Sequence, residues 1–291
     1  WVEQGVNYQK RDVEGLVKAF AAQSYPTNRE FFGTEWTPGV DGDVHLYVLF
    51  AGNLGDNIAG YYSSSDEYAP VVREYSNAHE MFYINADTVD LGDVFTDSVM
   101  AHEFQHMIHW YRDSNEDMWL NEGFSVLAEL LNGFDIGGAD FAYAIDPDIP
   151  LTYWPSPVEG RHYGQAFLFV AYFLDRFGEE ATRALVADTA NGLVSIDWAL
   201  AELGAQDPDT GETLTADDVY ADWSVAAVLN DPSVEDGRFA YVRYSEAPTI
   251  DLSDEFGRCP LSETRTVEQY GLDAISLQCE GEWAVSFEGQ T

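Results

Sequence analysis

Lysine is almost missing from this chain. Lys10 and Lys18 are the only two, and 13 lysines and arginines stand against 52 aspartates and glutamates. The difference, 13 − 52 = −39, is spread along the whole sequence and not gathered in one run. Such a surface repels phosphate backbones and anionic headgroups, which excludes nucleic acid and anionic membrane as favoured partners. Long apolar runs are missing too. No stretch approaches the roughly 18 residues that a spanning helix needs, so membrane insertion by a helix is excluded. Cysteine is reduced to Cys259 and Cys279, 20 apart near the C-terminus. A disulfide between them is expected and would suit an oxidising compartment, with two free thiols as the alternative. There is no leader segment, and a start at Trp1-Val2-Glu3 without Met reads as a processed or trimmed product. Together these features predict a secreted, extracellular, monomeric protein.

What is present is the composition of a folded chain: 46% apolar and 14% aromatic residues exclude a disordered acidic tail. A length of 291 residues allows two subdomains, or one large domain with a cleft. Val13, Leu16, Val17 and Phe20 have helical spacing over 13–23. A Pro/Gly-rich loop is expected from Pro26 to Gly42, then a buried strand over 44–50, loops with a short strand over 58–62, and a strand beginning at Met81. From about residue 94 the pattern becomes helical: 94–111, 118–131, 163–177 stopping at Gly178, then 179–190, 196–203 and 216–229. Thr215 can cap the last of these, with Asp218 three residues on. Beyond about 245 the sequence turns short and strand-like. The expected division is an α/β part over 1–113, a helical part over 114–245 and a β-like extension over 246–291, with a cleft between the first two.

The chemistry is concentrated in His102-Glu103-Phe104-Gln105-His106. On a helix, residues four apart share one face one turn apart, so two imidazoles can reach one ion at about 2 Å and the intervening Glu103 can reach an activated water. About 0.01 such motifs are expected by chance in a chain of this composition. A catalytic zinc needs a third protein ligand and an open position. The elongated motif with a further His six residues on and a Gly between is absent, because Arg112 stands at its His position and His109 at its Gly position. His109 sits roughly 10 Å along the helix axis from His102, too far to join the same ion easily. It is expected to be structural or to support a ligand. Glu122, 16 residues after His106 in Trp119-Leu120-Asn121-Glu122-Gly123-Phe124, remains as the third candidate, on a helix that can fold back after a turn at Ser114-Asn115.

HEFQH followed by WLNEGFSVLAE resembles the gluzincin class of zinc peptidases, and within it the secreted bacterial hyicolysin-like and immune-inhibitor-A-like peptidases. The resemblance covers about 25–245 and includes GYYSSSDEY and SNAHEMFYINAD. It implies an α+β, thermolysin-like fold with a mixed sheet and an active-site helix. It also implies that His102, His106 and Glu122 bind one zinc ion, with Glu103 as general base and proton shuttle. Glu129 matches an acidic position behind the ligands, and Asn121 joins it as a group that would hold a ligand imidazole.

A peptidase also needs a donor to the developing oxyanion. Tyr163-Gly164-Gln165-Ala166-Phe167, running on to Gly178, resembles the helix of gluzincin aminopeptidases that opens with such a Tyr. In thermolysin-like members a His does this work, so Tyr163 and His162 both stand as candidates. Substrate backbone usually adds to a sheet edge, and Asn85 and Ala86, on the nearest upstream strand, are expected to meet it. The Gly-x-Met-Glu-Asn segment that anchors a free amino terminus in aminopeptidases is missing, which favours internal cleavage of protein or peptide substrates. An exopeptidase on the same site, or a surface or binding protein on a peptidase scaffold, are the alternatives. Calcium is a further candidate ligand: Asp207-Pro208-Asp209-Thr210-Gly211-Glu212 is similar to a calcium loop, but it lacks the glycine at the required position and reads better as an acidic turn.

Overall fold

The apolar spacing at the N-terminus does produce a helix, and the helix runs further than the spacing predicts. In the computed structural model, which describes residues 1–208, 210–282 and 284–289, helix α1 (Lys10–Ala19) passes through a π turn (Phe20–Ser24) into α2 (Tyr25–Phe32). Pro26 lies in the first turn of α2, where a missing N–H costs no helical bond. The loop expected from Pro26 therefore starts only after Phe32.

Pairing of the first strand begins at Tyr47, since Val44 is exposed: β1 spans Tyr47–Ala51. Strand β2 is Gly60–Tyr62 and β3 is Met81–Asn85, buried at every position. The sheet order is β1-β3-β2. β1 runs parallel to β3, Tyr47 opposite Met81, and β2 runs antiparallel to it, Tyr62 opposite Phe82. An apolar run without alternation suits β3, which is the central strand. The short β2 is an edge.

Eight α-helices are found among the described residues. α3 (Val94–Arg112) is capped by Asp93, whose side chain accepts the Phe95 N–H at 3.0 Å. α4 (Met118–Leu131) stops before Gly133 as expected. α5 (Ala139–Ile145) was not anticipated; seven residues after Gly137-Gly138 are too few for a helical period to register. α6 (Gly160–Ala187) joins the two helices expected over 163–177 and 179–190, ending three residues short of the second, and is interrupted at Gly178 with φ 83° and ψ 175°. α7 (Leu193–Leu203) and α8 (Ala216–Leu229) complete the set, and Thr215 and Asp218 form the predicted reciprocal cap. The fold is thus α+β and mostly helical with a small mixed sheet.

One apolar core runs through all of it, from Leu16 through Phe82, Phe104, Trp119 and Phe167 to Trp223 and Ala274. The C-terminal stretch adds a two-stranded parallel sheet, β4 (Asp254–Phe256) with β5 (Ile275–Leu277), and the Cys259–Cys279 disulfide. It is tied to the helices by Leu272 N–H to Pro147 O at 3.2 Å and by the Gln165 amide to Tyr270 O at 3.0 Å. The acidic segment at 207–212 is a tight turn: Asp207 N–H donates to Glu212 O at 2.8 Å, and the Asp207 carboxylate accepts the Thr210 N–H at 2.7 Å. Asp209 lies outside the described residues. No helix among the described residues is long and apolar enough to cross a membrane.

Candidate metal centre

α3 and α4 form an antiparallel pair, joined by a short turn, and three side chains converge from them. Ligand atoms of His102, His106 and Glu122 all lie within 4.8 Å of one another. His102 Nε2 is 3.2 Å and His106 Nε2 3.4 Å from the same oxygen, Glu122 Oε2. Each imidazole is held from behind through its other nitrogen. His102 Nδ1 lies 2.8 Å from Glu129 Oε1, and Glu129 Oε2 accepts the Ser98 hydroxyl at 2.6 Å. His106 Nδ1 meets the Asn121 side-chain oxygen and, at 3.0 Å, the Ser125 hydroxyl. A Nδ1–H donated to these acceptors leaves the Nε2 lone pair of each ring facing Glu122.

Two imidazole nitrogens and a carboxylate oxygen around one point are the donor set of a borderline cation such as zinc. The electrostatics agree. Burial opposes ionisation of Glu122, yet both imidazoles outweigh it and hold the carboxyl below the ordinary carboxylate range. Burial likewise opposes charge on His102, but hydrogen bonds to Glu122 and Glu129 raise its pKa well above the usual value. Without an ion the centre attracts a proton; the same field favours a divalent cation. The residues present therefore fit a metal ion.

Glu103 is buried, its side chain beside the triad, and Oε2 accepts the backbone N–H of Tyr62 at 2.7 Å. That N–H belongs to the edge strand β2, which explains why β2 must lie close to α3. Gly60 makes the approach possible: a Cβ there would sit 2.7 Å from Val99 Cγ1 and 2.8 Å from Tyr83 O. Burial raises the Glu103 pKa, with His102 and His106 opposing the shift. Gly123 does the equivalent work on α4, where a Cβ would meet Ala166 O and Val170 Cγ2 at 2.9 Å, so α4 rests directly on α6.

A cavity of about 440 Å³ opens on these groups, lined by Tyr61, Tyr62, Glu103, Trp110 and Tyr163 together with the triad. The Tyr163 ring centroid is 6.5 Å from that of His102. Burial, then the negative charge of Glu122 and Glu103, raises the Tyr163 pKa, so the phenol remains a protonated donor. His162 is turned elsewhere. Its side chain is buried beside Trp154, ring centroids 6.1 Å apart, and it does not line the cavity.

Asn85 and Ala86 are not brought to the cavity. Asn85 ends the central strand and donates its amide to Gly55 O at 2.9 Å and Ile58 O at 2.8 Å, so it braces the loop before β2. The sheet edge beside the triad is β2, because β2 intervenes between β3 and the opening. His109 is fully buried, edge-on to Phe124, and burial pushes its pKa down to about 3. It is a neutral core residue. Sequence reasoning passed over Ser98 and Tyr62. Ser98 had a signal, four residues before His102 on the same helix face; the Tyr62 contribution is a backbone N–H and leaves no trace in residue type. No family model and no curated protein matches the chain.

Proposed function

We propose that the protein is a zinc-dependent peptidase that cleaves internal bonds of extracellular proteins and peptides. The observation that carries this reading is the shared cavity: Glu103 and Tyr163 line the same space as His102, His106 and Glu122. A thermolysin-like division, with the sheet and α3 on one side of the cleft and the later helices on the other, fits the same reading. The disulfide supports secretion, since such bonds persist in oxidising surroundings.

His102, His106 and Glu122 would hold the zinc ion, which when bound would supply a Lewis acid for water activation and carbonyl polarisation. Glu103 takes the proton of the attacking water and delivers it to the departing amine, a cycle that suits a carboxyl whose pKa is raised by burial. Tyr62 N–H fixes one oxygen of that carboxylate, leaving the other free for the exchange. Tyr163, kept protonated, donates to the oxyanion of the tetrahedral intermediate. β2 offers its free edge to an extended substrate, in the manner of strand addition.

Metal analysis and cleavage of casein by wild type and Glu103→Gln test the reading. Zinc retained with activity lost in the variant supports it; a wild type that holds no zinc and cleaves nothing with zinc added refutes it. Aminoacyl-amides and blocked internal peptides, assayed side by side, separate terminal trimming from internal cleavage.

A further inference from the structure

A cavity of about 800 Å³ lies away from the triad at the N-terminal end of α3. Its walls include Phe95, Ile136 and Phe141, its acidic groups include Asp93, Asp140 and Glu246, and neither lysine nor arginine lines it. Asp140 is 1% exposed. Its Oδ2 accepts the Tyr244 hydroxyl at 2.6 Å, while Oδ1 has no hydrogen-bond partner. A buried carboxylate oxygen without a donor is costly, and a cation that reaches it recovers that cost.

The cavity lies against the N-terminal end of the helix that carries His102 and His106. Phe95, Ser98, His102 and His106 are spaced three, four and four residues, one face of α3. Ser98 lines the large cavity and also bonds Glu129, which bonds His102. One helical turn separates Ser98 from His102, about 6 Å along the axis.

We propose that this cavity is a subsite for a basic side chain, arginine above all, of a peptide substrate. The inference rests on the peptidase reading and names its substrate class. The aliphatic stem lies along Phe95 and Phe141, and the planar guanidinium takes the Asp140 carboxylate with Asp93 and Glu246 at the rim.

The test is binding without turnover. Fluorescein-labelled alanine-based nonapeptides carrying one arginine, or one citrulline of the same shape and no charge, are titrated by anisotropy into zinc-loaded Glu103→Gln protein in 0.15 M salt. The arginine peptide should bind at least tenfold more tightly. Asp140→Asn, which still accepts the Tyr244 hydroxyl, should bring the two within twofold, and Glu246→Gln at the exposed rim should lower the ratio without affecting the fold. Glu14→Gln on α1 should leave the ratio unchanged. Equal binding of the two peptides, or a ratio that survives Asp140→Asn, overturns the subsite. If the ratio holds but wild type cleaves neither casein nor peptide, the cavity stands as a basic-residue site and the peptidase reading fails.

Discussion

Glu129 faces no shared ligand atom, yet its replacement is expected to change how tightly the centre holds zinc. One oxygen fixes His102 at 2.8 Å and the other holds the Ser98 hydroxyl at 2.6 Å, with the side chain 12% exposed. Groups placed behind a ligand imidazole typically contribute 10- to 100-fold in metal affinity, about 1.4–2.7 kcal/mol. Glu129→Gln can still accept from His102 through its carbonyl and donate to Ser98 through its amide, so it loses only the charge. A loss of about tenfold is expected. Glu129→Leu removes both acceptors and leaves a hydroxyl and an imidazole N–H buried without partners, so the loss should approach about a hundredfold, with about 1–3 kcal/mol of stability for each stranded group. Competition against a chromophoric chelator measures the first effect, and thermal melting of metal-free protein the second. If both variants hold zinc as tightly as wild type while the metal-free melting temperature falls, Glu129 only packs the helices together and the argument is refuted.

Tyr163→Phe should lower kcat by about 10²–10³ with zinc content unchanged, as expected for loss of one oxyanion donor; steady-state kinetics with metal analysis are the check, and an unchanged kcat would remove Tyr163 from that role. Glu67 is 2% exposed, and burial, followed by the charges of Glu80, Glu35 and Asp66, pushes its carboxyl from 4.5 up to about 8. Its folded pKa is raised, so its stabilising contribution is complete below pH 4.5 and disappears as pH rises through 8, an effect on the order of a few kcal/mol. Glu67→Gln, permanently neutral, should flatten that decline in melting temperatures taken between pH 5 and 8.5; an unaltered slope would show that Glu67 does not titrate there. Gly60→Ala should cost about 1–3 kcal/mol by forcing β2 away from α3, and should depress kcat by disturbing the Tyr62–Glu103 hydrogen bond. Urea denaturation and turnover are the checks, with full stability in the variant counting against the close approach.

Periodicity carried the helices that build the site. α3 and α4 have apolar residues at helical spacing across three or more turns, and their ends are marked by Asp93 and Gly133, so both were legible with nearly their true bounds. The His-Glu-His spacing was legible for the same reason, since a single helix converts separation in sequence directly into position on a face. α5 is too short to show a period, and α2 was hidden by Pro26, which marks a loop unless the preceding turn has already aligned it. Strand order was invisible: Met81–Ile84 reads as buried, but nothing in its residue types says that a three-residue strand, Gly60–Tyr62, pairs outside it.

By itself, then, the chain determined its acidic surface, its helices and two of the three converging ligands, because each depends on composition or on neighbours a few residues away. Tertiary structure decided the rest, because the rest depends on contacts between distant segments. The α3–α4 turn brings Glu122 and Glu129 to opposite sides of the same imidazole. The edge position of β2 gives Glu103 its backbone donor in place of any group on β3. The start of α6 directs Tyr163 into the cavity and leaves His162 against Trp154.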